Sequence, residues 1–205
     1  MTDRYQAPES DVEYEPGSDG KVLRNLQGIT DPGEMTMAEL FLLEQLYQRI
    51  FPADFPDRRL TIADLKRWHH QWLGNVYSWA GEERSVNMAK DGFQFAAAAQ
   101  IPRLLEQFQA QWFDRLTPLH EQSMDALVEA LAVTHVELIL VHPFREGNGR
   151  LARLLADVMA AQAGCGLLDY SGWNADRSGY LAAIQNGMTR NYQPMADLVA
   201  AALGC

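Results

Sequence analysis

The chain has 205 residues, 47% of them hydrophobic, and a formal net charge of −10. A chain of this size buries one substantial core, so a single domain is expected. The acidic balance argues against general binding to nucleic acid or to an anionic membrane. Two cysteines, Cys165 and Cys205, make neither a disulfide framework nor a zinc cluster. The first twenty residues hold no apolar core of a signal peptide, and no apolar run of spanning length is free of charge. A soluble, cytoplasmic protein is the expectation.

Residues 1–20, acidic and rich in Pro, Gly and Ser, are expected to form an extended, partly ordered arm ahead of one domain over 21–205. In "TMAELFLLEQLYQRIF", Leu40, Leu43, Leu46, Tyr47 and Ile50 repeat at helical spacing, and Thr36 is a plausible cap three residues before Glu39. "TIADLKRWHHQWLGNVYSWAG" repeats the device: Thr61 caps, Leu65, Trp68, Trp72 and Val76 line one face, and Gly81 stops it. Between Arg84 and Phe95 the rhythm changes to two short runs around Lys-Asp-Gly, a hairpin signal. Helices resume with "AAAAQIPRLLEQFQAQWFDRL". Ser123 then caps "MDALVEALAVTHVELILVH", whose apolarity all round marks a central buried helix ended by Pro143. Arg150 to Ala163 is amphipathic and closes at Gly164, and a last helical pair covers about 174–187 and 194–203. The fold class is all-α, a helical bundle with one β-hairpin.

The chemistry concentrates in "HPFREGNGRLAR", between the central helix and the next. Gly147 and Gly149 allow close backbone approach by a ligand, and the following helix start favours an anion, phosphate in particular. Arg150 and Arg153 lie three apart on one face, within reach of a polyphosphate. A bare Glu146 carboxylate beside that anion would be repelled, a conflict that a magnesium ion between them removes. His142 is the natural proton acceptor near neutrality, and Phe144 pins the loop to the core. These parts describe phosphate-centred transfer to a nucleophile activated by His142. Rival motifs fit less well. Gly147 to Ala152 matches a dinucleotide fingerprint with Asp169 downstream, but the preceding run is helix-patterned and too little chain follows. His135-x-Glu137 has no accompanying Pro-Cys-x-x-Cys of a zinc deaminase. His69 and His70 read as packing or surface residues.

"HPFREGNGRLAR" resembles the Fic family signature, His-x-Phe-x-Asp/Glu-Gly-Asn-Gly-Arg-x-x-Arg, at every specified position. "VYSWAGEERSVNMAKDGFQFAAAAQIP" looks like that family's helix end and flap hairpin, "RNYQPM" like its closing segment, and "YEPGSDGKVLRNLQGITD" like the opening of short stand-alone Fic toxins. The similarity is strongest over about 60–197. It implies an AMP transferase moving AMP from ATP to a Ser, Thr or Tyr hydroxyl of a target protein. His142 would be the general base and Glu146 the magnesium ligand. Gly147, Asn148 and Gly149 would cradle phosphates, Arg150 and Arg153 would lie on the pyrophosphate side, and Phe144 would be structural. The flap, Val86, Asn87 and Met88 with Phe93, Gln94 and Phe95, would dock a target segment as an added strand. Tyr180, Asn191 and Tyr192 lie where the base would approach.

Many Fic proteins are blocked by Ser/Thr-x-x-x-Glu-Gly/Asn. Here Thr30–Glu34, Ser78–Glu82 and Thr117–Glu121 each fail the final position. Inhibition is therefore expected from a separate small antitoxin supplying a glutamate, with Thr30–Glu34 as a degenerate internal alternative. Two other functions compete: transfer from another nucleotide or phosphodiester donor, and an idle module that only binds partners.

Overall fold

The computed structural model describes residues 13–90, 92–120 and 122–204. Residues 1–12 of the expected arm, Asp91 in the hairpin turn, Glu121 of the third inhibitor candidate and Cys205 lie outside the described residues. The chain turns at Gly17 and Gly20, and Tyr14 pairs with Leu23 in an isolated antiparallel bridge.

The most apolar run becomes the helix around which the others pack. This helix, α5 (Met124–Val141), buries Leu131, Ala132, Val136 and Leu138. Its N-cap is Ser123, whose hydroxyl accepts the Ala126 N–H. Against it lie α6 (Asn148–Gln162), which contributes Leu151, Leu154, Leu155 and Val158, and α9 (Gln193–Ala202), which contributes Met195 and Val199. A helix apolar on all sides is stable in water only when covered on all sides, and these neighbours cover it.

Around that centre are α1 (Pro32–Ile50), α2 (Ile62–Leu73), α3 (Ile101–Phe108), the short α4 (Asp114–Leu116), α7 (Ser171–Ala175) and α8 (Arg177–Asn186). A π-helical turn, Gln109–Phe113, joins α3 to α4. The hairpin is β1 (Ala89–Lys90) against β2 (Phe93–Gln94), antiparallel with Lys90 opposite Phe93. Cys165 is disulfide-bonded. No helix of the described residues is long and apolar enough to cross a membrane.

Element edges moved where tertiary contacts overrode local signals. The first helix starts at Pro32, with Asp31 as its cap accepting the Glu34 N–H at 2.8 Å. Thr36 sits inside it, its hydroxyl donating to the Pro32 carbonyl. The helix phase follows Glu39, which faces inward, so Leu40 is exposed rather than packed. Thr61 does cap α2, in a reciprocal box with Asp64. That helix ends at Leu73, ahead of Gly81, and the chain then loops back so that the Gly81 N–H reaches His69.

Candidate active site

His142 is the first residue past α5 and carries a left-handed backbone, φ +51°. Its N–H still closes the helix onto the Leu138 carbonyl, and its Nδ1 lies 3.2 Å from the Ile139 carbonyl. Only an Nδ1–H can use that acceptor, so the lone pair sits on Nε2. Burial, helped by the nearby Arg84 and Lys90 charges, pushes the imidazole down to about 3, against a weaker opposing effect of the Ile139 contact. It is therefore neutral at pH 7.

The loop after His142 is braced from within. Phe144 is fully buried and stacks on the His69 ring, centroids 4.0 Å apart. The Asn148 amide bridges the Phe144 backbone: its Oδ1 accepts the Phe144 N–H at 2.9 Å and its Nδ2 donates to the Phe144 carbonyl at 2.7 Å. The Asn148 side chain is thus buried and spent on the loop, which leaves its backbone to face the space at the start of α6. Gly147 has φ +81°, and a Cβ there would meet Trp72 at 2.7 Å, so the position excludes other residues twice over. Gly149 has no such constraint. It lies in the first turn of α6, and a Cβ there would meet nothing within 4 Å, because the residue borders a cavity.

The two signature arginines part company. Arg153 lines the cavity, lies over the Tyr170 ring at 4.9 Å and donates to Asn174 Oδ1 at 3.1 Å. Arg150 turns the other way. It donates to Glu39 Oε2 at 2.7 Å, approaches Glu146 Oε1 at 3.5 Å and lies over Trp72 at 4.7 Å. It forms an ion pair with the buried Glu39, which also accepts the Tyr77 hydroxyl.

The cavity holds about 450 Å³ and brings together Lys90, Phe95, His142, Gly149, Arg153 and Tyr180. A proton acceptor, a cation and an open helix start face one space large enough for a nucleotide-sized ligand. The family follows from a match to the Fic/DOC description over residues 59–160, which contains that loop, α5 and the hairpin. The chain belongs to the Fic/DOC family.

Relatives of this Fic domain include the "Probable protein adenylyltransferase y4lH" of Sinorhizobium fredii, 29% identical over 78% of this chain and 80% of that protein. Another is the "Protein adenylyltransferase VbhT" of Bartonella schoenbuchensis, 31% identical over 79% of this chain but only 31% of that longer protein. The chain spans about a fifth of the next relative, from Caenorhabditis briggsae. The crystal structure of the BepC protein of Bartonella tribocorum with bound AMPPNP superposes with a TM-score of 0.76. It is 24% identical and covers 95% of this chain and 97% of that one.

In this Fic domain the hairpin roofs His142, though not with all the residues expected. Phe95 stacks on the imidazole, Met88 is buried in the body, and Asn87 Oδ1 is taken by the Ala98 N–H. The paired strand residues are Ala89 and Lys90 rather than Val86 to Met88. Tyr180 borders the cavity; Asn191 and Tyr192 do not, and the Tyr192 hydroxyl donates to Glu137. Three supporting residues escaped sequence reasoning. Arg84 is buried beneath the hairpin, and Glu39 holds Arg150. His69, read as packing, accepts the Gly81 N–H on Nδ1 and so donates from Nε2 to the Glu146 carbonyl at 3.0 Å. For Glu39 and His69 the local signal was a charged or titratable residue on an apolar helix face.

Proposed function

We propose that this chain is a protein adenylyltransferase that moves AMP from ATP to a hydroxyl side chain of a protein target. The observation that carries the reading is His142 and Arg153 facing one cavity across Gly149. The resemblance to proteins named adenylyltransferases and to an AMPPNP-bound structure supports the nucleotide. In the reaction, the target Ser, Thr or Tyr oxygen attacks the α-phosphorus while Nε2 of His142 takes its proton. The bond from that phosphorus to the bridging oxygen breaks, and pyrophosphate leaves. Gly149 and the Asn148 backbone offer N–H groups at the start of α6, Gly147 allows close backbone approach, and Arg153 balances the charge of the departing phosphates.

Glu146 fits a magnesium ion. Its side chain is partly exposed, and Oε1 is held by the Gly147 N–H at 2.8 Å. The other oxygen has no hydrogen-bond partner among the described residues. One carboxylate plus phosphate oxygens and water suits Mg²⁺. Bound there, it would neutralise phosphate charge.

The target would lie along the hairpin edge through main-chain hydrogen bonds. Restraint would come from a separate small antitoxin whose glutamate docks on Arg153. Supporting this, the side-chain acceptor on Arg153 among the described residues is Asn174, and Glu34 of the internal alternative is exposed at the start of α1. The deciding experiment treats cell extract with ATP and purified protein and reads modified peptides by mass. Mass additions of AMP should appear with the wild type and fall by about 10²–10⁴ in rate with His142→Ala. Additions from another nucleotide, or none, would reject the reading. Co-expression with the neighbouring reading frame tests the antitoxin; unchanged toxicity rejects it.

A further inference from the structure

The end of α5 leaves carbonyls that the helix cannot satisfy, and their partners form a complete set. The Leu138 carbonyl accepts the His142 N–H and the Ile139 carbonyl accepts the His142 Nδ1–H. The Leu140 carbonyl accepts the Ala96 N–H, from the residue after the stacked Phe95, at 3.2 Å. The last two, Val141 and His142, are taken by one guanidinium. Arg84 donates from Nε to the His142 carbonyl at 2.7 Å and from Nη2 to Val141 at 3.4 Å.

The same guanidinium ties both limbs of the hairpin. Its Nη2 also donates to the Ala96 carbonyl at 2.6 Å, and its Nη1 to the Val86 carbonyl. The Arg84 backbone N–H reaches the Pro143 carbonyl at 2.8 Å. Arg84 is 5% exposed, and no carboxylate is among these acceptors. Burying a cation among carbonyls costs desolvation energy that hydrogen bonds and the negative end of a helix offset. Five donors in a rigid fork make arginine, not lysine, the side chain that can span them.

We infer that Arg84 is a positioning residue for the transfer reaction: by clamping the His142 carbonyl and both hairpin limbs, it fixes the left-handed backbone and the direction of the imidazole. This rests on His142 acting as the base. It also makes the hairpin that would receive the target and the residue that would activate the target one mechanical unit.

The test compares Arg84→Lys and Arg84→Met in the full chain, reading kcat, ATP KM, thermal unfolding and the nitrogen NMR signals of His142. Charged or titratable groups facing His142 are Arg84 itself, Lys90 on β1, Arg153 on α6, and Arg177 and Tyr180 on α8. Arg84→Lys keeps the charge and loses the fork, so kcat should fall about 10²-fold while ATP KM holds, as expected for a base moved by about 1 Å. The imidazole should lose its single Nδ1–H tautomer. Arg84→Met should do the same and also move the acid limb of the rate profile to higher pH. A folded Arg84→Lys protein with wild-type kcat and an unchanged His142 tautomer overturns the inference. So does a kcat loss that only tracks the folded fraction. If the wild type transfers no AMP, the proposed function fails by itself, and the tautomer signal still decides the role of Arg84.

Discussion

The ring of Phe95 lies face to face with the imidazole of His142, centroids 3.7 Å apart and planes 23° from parallel. An aromatic roof at that distance excludes water from the imidazole, the proposed proton acceptor. Burial is the main reason that the imidazole is pushed down to about 3, and this ring is part of what buries it.

Phe95→Ala should therefore raise the His142 value toward the ordinary 6.5 or so, stopping short because Arg84 and Lys90 remain nearby. An NMR titration of the imidazole checks this. A midpoint left in place would mean that the body of the protein, not the hairpin, dries the site.

The parting of the two signature arginines predicts opposite phenotypes. Arg153→Ala should keep the fold and weaken nucleotide binding by about 10–100-fold, the scale of a lost charge-assisted hydrogen bond. Arg150→Ala should leave the buried Glu39 without its cation and cost about 3 kcal/mol of stability. Calorimetric titration with an ATP analogue and urea denaturation, run on both variants, separate the two. Equal effects on binding would restore Arg150 to the phosphate site.

Neighbouring glycines are predicted to differ in kind. Gly147→Ala should destabilise strongly, since its positive φ and the Trp72 ring both oppose a Cβ. Gly149→Ala meets no atom within 4 Å, so the helix should gain up to about 1 kcal/mol while its methyl group narrows the cavity and weakens ATP binding. Thermal denaturation with a parallel binding isotherm tests both.

Acid should unfold the protein through its buried histidines. His69 is pushed down to about 4, and His135 and His142 to about 3, each chiefly by burial. All three are neutral in the fold but free to protonate near 6.5 once unfolded, so their contribution is complete above that pH and is lost as pH falls toward 4. With three protons taken up on unfolding, stability should drop by up to about 4 kcal/mol per pH unit there. Asp157, raised by burial beneath Tyr47 and Tyr170, works in the opposite sense and softens the slope. Urea midpoints at pH 7.5 and 5.5 measure it; equal midpoints contradict the burial argument.

Local chemistry was sufficient for much of this protein. Thr61 and Ser123 announced two helix starts through hydroxyls that reach backbone N–H groups a turn ahead. The all-round apolarity of α5 made it central, because no surface helix can expose so much hydrocarbon. The twelve residues from His142 to Arg153 held most of the candidate chemistry, since a helix end, a turn and a helix start already bring them within a few ångströms.

Direction was another matter, and only the tertiary structure decided it. Arg150 and Arg153 share a helix face by spacing, yet Glu39, more than a hundred residues earlier, draws one of them away. Asn148 looked available until its amide met the Phe144 backbone, and Arg84 looked like an ordinary hairpin residue until four separate carbonyls converged on it. Sequence periodicity sets which side of an element is apolar. A buried charge points where its partner is, and that partner is brought close only when the whole chain has folded.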